Sequence, residues 1–82
     1  MPEFMDVHHG MVGITAEGLK EAHDADLAIQ GEENVEFKQA WADPESGNVY
    51  CLSEASSAEA VQRIHVRAGH PYDEIHAVPL KV

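Results

Sequence analysis

The chain has 82 residues, with fifteen acidic side chains against five lysines and arginines and a formal charge of −10. That length suits a single domain over residues 1–82 with a modest core, and the charge repels phosphate backbones and anionic membrane surfaces, arguing against nucleic acid or membrane partners. No apolar run approaches the roughly 20 residues of a membrane span. Met1-Pro2-Glu3 leads straight into a strand pattern without a basic-then-apolar leader, so the expected setting is cytoplasmic. The lone cysteine, Cys51, excludes an internal disulfide and a Cys-x-x-Cys site. Histidine is the unusual component: His8, His9, His23, His65, His70 and His76 amount to about three times average usage, with no terminal tag-like run.

Residues 3–9 alternate as a first strand, in which Phe4, Asp6 and His8 share one face and Met5, Val7 and His9 the other. A two-glycine loop follows. Thr15 offers an N-cap for a helix over about 16–30, with Glu17 favourably placed in its first turn. At 100° per residue Leu19, Ala22, His23, Asp26, Ile29 and Gln30 fall on one side, so the inward face of this helix is not purely apolar. Gly31-Glu32-Glu33-Asn34 turns the chain into a second strand over 35–41. Asp43 to Asn48 is a dense turn, and 49–53 a third strand, which predicts an antiparallel hairpin. Ser56-Ser57-Ala58-Glu59 matches a capping box for a helix carrying Val61, Ile64, His65 and Ala68 at core spacing. Gly69-His70-Pro71 ends that helix, and a short last strand spans about 74–78.

The order β-α-β-β-α-β predicts an α+β, ferredoxin-like fold: a four-stranded antiparallel sheet with two helices on one face. The other face needs a cover. With Phe37 and Trp41 on the second strand, a two-fold homodimer is the simplest one.

Assigning faces by apolarity turns Met5, Val7, Tyr50 and Leu52 towards the helices and leaves Asp6, His8 and Cys51 together on the open face. The first and third strands are neighbours in this fold, so these three side chains can meet. They read either as oxygen, nitrogen and sulfur ligands or as an inert thiol beside a hydrogen-bonded Asp–His pair. His9, at the strand's end beside Gly10, is expected to point towards the helices or a loop. His23 and Asp26, three apart on the first helix, form either a metal-gripping pair or a polar pair at the helix–sheet boundary. His65 on an apolar stripe is most simply a core histidine with one satisfied hydrogen bond, and His70 a loop residue. Taken together, Asp6, His8, His9, His23, Asp26, Cys51, His65 and His70 are the candidate metal ligands. Imidazoles and carboxylates without a second sulfur suit nickel, copper or zinc. A structural zinc site would bring more cysteines.

Four segments also resemble a known family: Phe-Met-Asp-Val-His-His at 4–9, Ala-His-Asp-Ala-Asp-Leu at 22–27, Val-Tyr-Cys-Leu-Ser-Glu-Ala at 49–55, and Ala-Val-Gln-Arg-Ile-His-Val-Arg-Ala-Gly-His-Pro at 60–71. They are similar to a domain-of-unknown-function family whose best-described members are dimeric, nickel-binding or nickel-responsive proteins of ferredoxin-like fold. The Cys-Leu-x-Glu-Ala and His-x-x-Ala-Gly-x-Pro patterns resemble the wider family. The His8-His9 pair, His70 and the Ala-His-x-Ala-Asp run resemble the nickel branch. The resemblance implies nickel as the ion and a homodimer as the assembly, and it assigns no ligand residue by residue.

The expected function is therefore binding of a divalent transition metal, nickel before zinc or copper, by a sequestering, buffering or nickel-responsive accessory protein. No Gly-rich phosphate loop, Ser-His-Asp set or nicotinamide fingerprint is present, so an enzyme is not expected. The alternative is a small ferredoxin-like dimeric enzyme, or an organic-ligand-binding protein, using a His/Asp pair in an inter-sheet cavity. A third reading is an assembly module with solvated histidines.

Overall fold

A computed structural model describes residues 2–69 and 72–82; the expectation that His70 and Pro71 close the second helix lies outside the described residues. The elements run β1 (Glu3–His8), α1 (Ala16–Ile29), a single 3-10 turn (Gln30–Glu33), β2 (Glu36–Asp43), β3 (Asn48–Glu54), α2 (Ala58–Ala68) and β4 (Glu74–Ala77). The sheet order is β2-β3-β1-β4, and each neighbouring pair is antiparallel. This is the expected ferredoxin-like α+β arrangement.

Local chemistry sets the helix ends. The Thr15 hydroxyl accepts a hydrogen bond from the Gly18 amide, supplying an acceptor to a first-turn donor that has none within the helix. In α2 the cap is Ser57, whose oxygen accepts from the Ala60 amide, and not Ser56 as the capping-box spacing implied. The box is therefore offset by one residue, with Glu59 no longer at the reciprocal position. Gly69 closes α2 in the left-handed region at φ 74°, a conformation without steric penalty only for glycine.

The face assignment made from apolarity is inverted. Phe4, Asp6 and His8 of β1, with Val49, Cys51 and Ser53 of β3, face the helices, and all but His8 are buried there. Met5 opposite Leu52, and Val7 opposite Tyr50, lie on the other face. The reason is that both faces of β1 and β3 carry apolar residues, so hydrophobicity alone does not pick the buried one. The largest apolar side chains of the inner layer, Phe4 and Phe37, decide it by packing with Val35, Ala55, Val61 and Ile64.

Phe37 and Trp41 do not share a face either. The β2–β3 pairing runs Phe37 with Ser53 and then Gln39 with Leu52, so Lys38 is an extra residue in a bulge that reverses the alternation. Phe37 enters the core, 4% exposed, whereas Trp41 lies beside Tyr50 on the open face and is 42% exposed. The apolar expanse invoked for a dimer therefore keeps Trp41, with Met5, Tyr50 and Leu52, and loses Phe37.

The cap offset is measurable. Ser57→Ala should cost about 1 kcal/mol in chemical denaturation, the usual worth of an N-cap. Ser56→Ala should stay within about 0.5 kcal/mol of the parent, as a surface substitution does.

Candidate metal centre

The β1–β3 register places Asp6 directly opposite Cys51. Because period-two alternation carries His8 to the same face as Asp6, these three donors converge from two strands. The fourth comes from above: His65, on the third turn of α2, is driven into the layer by the apolar stripe of Val61 and Ile64. One ligand atom from each of Asp6, His8, Cys51 and His65 lies within 4.8 Å of the others. Asp6 and His65 are fully buried, and Cys51 is 6% exposed.

The proton inventory of this cluster is restrictive. A carbonyl only accepts, so the 2.8 Å contact between His65 Nδ1 and the Val61 carbonyl fixes the proton on Nδ1. That turns Nε2 towards Asp6 Oδ2, 2.9 Å away, without hydrogen-bond alignment. His8 Nε2 lies 2.6 Å from the same oxygen. Asp6 Oδ1 and His65 Nε2 are both buried without a hydrogen-bond partner. Two imidazole nitrogens and a carboxylate thus converge on one point, and they are compatible only when protons or a cation stand between their lone pairs. Phe37 and Tyr72 meet the His65 ring edge-on and hold its plane.

Electrostatics follow from that crowding. Burial alone would raise the Asp6 pKa, but His65 and His8 together outweigh it and hold the carboxyl below its ordinary value. Burial alone would lower the His65 pKa, and the adjacent Asp6 carboxylate reverses this and raises it. Burial, with the charges of Asp6 and Asp26 adding to it, pushes the Cys51 thiol far up, so the sulfur keeps its proton when no cation is near.

The remaining candidates are distributed around this cluster. His23 and Asp26 project from α1 into a chamber of about 390 Å³ that His8 and Cys51 also line. Asp26 is 3% exposed. Both side chains therefore lie on the helix–sheet boundary, on the side of α1 that faces the chamber. His9 lies apart from the cluster and is directed neither into the helix layer nor into a loop alone. Its ring bridges the start of β3 and β4, with Nδ1 2.7 Å from Asn48 Oδ1 and Nε2 2.7 Å from Glu74 Oε2. Both partners accept, so His9 is satisfied as an imidazolium, and Asn48 first, then Glu74, raise its pKa. His76 is exposed and also reaches Glu74, at 3.0 Å. His70 lies outside the described residues. The membership of His65 in the same group as Cys51 is what sequence reasoning missed, although its helix position was visible, because the inverted face assignment set the two on opposite sides of the sheet.

The shifts carry a pH dependence for the metal-free protein. A His pKa raised above 6.5 adds stability that is complete below that value and is lost as pH rises through the folded pKa. Asp6, lowered from 3.8, adds stability that is complete above that value and is lost as pH falls through the folded pKa. Metal-free protein should therefore melt at higher temperature at pH 6 than at pH 8.5, His9 contributing in the same direction as His65. Asp6→Asn should cost on the order of 3 kcal/mol at pH 6 and flatten the alkaline slope, as calorimetry across pH would record.

No curated protein matches the chain. In sequence it matches the family described as nickel responsive protein SCO4226-like, over residues 4–78. Among solved structures it is similar to the crystal structure of SCO4226 from Streptomyces coelicolor A3(2), at 66% identity over 98% of this chain and 99% of that one, with a TM-score of 0.95. A family match spanning nearly the whole chain and a near-superimposable fold agree, and the chain belongs to the SCO4226-like family of nickel-responsive proteins.

Proposed function

We propose that this protein binds a divalent transition metal, nickel in the first place, through Asp6, His8, Cys51 and His65, and acts as a sequestering, buffering or nickel-responsive accessory protein. The observation that carries the reading is the convergence, inside a four-donor group, of Asp6 Oδ1, buried without a hydrogen-bond partner, and His65 Nε2, buried 2.9 Å from Asp6 Oδ2 without hydrogen-bond alignment. A cation relieves the convergence of lone pairs and neutralises a carboxylate that burial otherwise penalises. The Val61 carbonyl acts on His65 as the outer hydrogen bond typically acts on a metal-binding imidazole: it fixes the tautomer and aims the other nitrogen. Nitrogen, oxygen and sulfur donors admit zinc and copper as well; the family description favours nickel.

The cargo is the ion itself, and the protein is read as non-enzymatic and cytoplasmic. Among the described residues no helix is long and apolar enough to cross a membrane. A homodimer through the open sheet face accompanies the reading. Trp41 is 42% exposed there, beside Tyr50, and Met5 and Leu52 extend the apolar surface.

Isothermal titration of metal-free protein with nickel should show a tight site that Cys51→Ser and His65→Gln each weaken by more than the roughly 10–100-fold typical of outer-shell partners. His9→Ala should leave that site within about threefold of the parent. Unchanged affinity in both the Cys51 and the His65 variants would sink the assignment. Uptake should also weaken between pH 8 and pH 6, since protons compete for the same lone pairs.

For the assembly, sedimentation should find a dimer whose dissociation constant Trp41→Lys raises at least about tenfold, because the substitution buries a charge in an apolar contact. A parent protein that sediments as a monomer at all concentrations would refute it.

A further inference from the structure

The chamber between α1 and the sheet has a chemistry that a bare ion does not use. Its floor is His8 and Cys51, two members of the donor cluster, and its walls include Leu19 and Ala22 of α1 with Ala40 and Val49 of the sheet. The volume is about 390 Å³. A water takes about 30 Å³ of liquid volume, so an ion with a few waters needs only part of that space, and apolar walls hydrate poorly. Small-molecule pockets begin at about 300 Å³, and they pair apolar walls with a few convergent polar groups. The polar groups are also of a definite kind. Among the described residues Asp26, Asp73 and His9 line the chamber, no lysine or arginine does, and the imidazole of His23 has a buried Nδ1 without a hydrogen-bond partner. The His9 imidazolium is already paired to Glu74, so the carboxylates of Asp26 and Asp73 leave the lining net negative, which disfavours an anionic guest and admits a neutral or cationic one.

We propose that the chamber binds a small neutral nitrogen heterocycle of the azole class, its ring held against Leu19, Ala22 and Val49 and its basic nitrogen turned to the His8–Cys51 floor as a donor to the cation there. The site rests on the nickel reading above and adds a co-ligand class to it. Discrimination comes from charge and shape together: a carboxylate of equal size meets Asp26 and Asp73, and a small polar chelator leaves the apolar walls unused.

The probes are benzimidazole and, as the anionic ring of similar size, benzoate. Nickel loading is read first, by titration, which tests the metal site by itself. On loaded protein, benzimidazole should bind at least tenfold more tightly than on metal-free protein. It should shift the nickel d–d absorption while the nickel stays bound, and amide shifts should map to Ala22, Ala40 and Val49. Benzoate should do none of this. Ala22→Leu, which narrows the chamber with a residue that favours helix, should weaken benzimidazole at least tenfold and leave nickel affinity unchanged, and Ala40→Val is a second narrowing variant on the sheet side. Equal binding of benzoate, equal binding in both narrowed variants, amide shifts mapping elsewhere, or removal of nickel by the probe would overturn the chamber proposal with the metal site intact. Failure of nickel to load would instead overturn the metal reading, and the co-ligand's orientation with it.

Discussion

The constraint on which the rest depends is a carboxylate with no solvent exposure, Asp6, held against the buried imidazole of His65 at 2.9 Å. An isolated charge in that position would cost several kcal/mol in lost hydration. The fold meets the cost by bringing imidazoles from two directions, His8 along the same strand and His65 from α2. Docking α2 is thus more than apolar burial by Val61 and Ile64. The same contact that seats the helix completes the donor group, so cluster geometry and helix position are a single structural variable.

Strand alternation then divides the polar residues between two environments. His8 and His9 are adjacent in sequence, yet only His8 joins the inner cluster. His9 occupies a ladder on the other side, where Asn48 and Glu74 satisfy both ring nitrogens and His76 shares the Glu74 carboxylate. The inner group leaves Asp6 Oδ1 and His65 Nε2 without an aligned hydrogen bond, whereas both His9 ring nitrogens in the outer group are paired within the protein. That difference in satisfaction, more than histidine number, is what separates a candidate ion site from a surface hydrogen-bond network.

Much of this was legible in the residues. Period-two segments, glycine-bearing turns and hydroxyl caps gave the element order, and the order gave the adjacency of β1 and β3 that pairs Asp6 with Cys51. What failed was the assumption that the more apolar face is the buried one. Met5, Val7, Tyr50 and Leu52 outscore Phe4, Asp6, His8 and Cys51 in hydrophobicity, because the inner layer carries a carboxylate, an imidazole and a thiol at strand positions that apolar side chains usually fill. The bulge at Lys38 was invisible for a different reason: one extra residue costs nothing in composition, but it sends Phe37 inward and leaves Trp41 outside. The His65 contact with Asp6 required the inverted face of β1, since a helix residue has no partner until the sheet face beneath it is known.

The donor set and the chamber beside it also answer to each other. Cys51 keeps its proton in the cation-free cluster because it is buried next to Asp6 and Asp26. A cation held there, as proposed, would change that balance by attracting both the carboxylate and the sulfur, so its uptake would be coupled to proton release and not to ion charge alone. Such coupling needs a route for the proton and space for ligand exchange. The inner layer is closely packed around Phe4, Phe37 and Ile64, but it opens on the α1 side, where His8 and Cys51 face the chamber and His23 lies at its wall. The lopsided core is therefore consistent with chemistry at its edge: the α2 half supplies rigidity to the donors, and the α1 half supplies access to them.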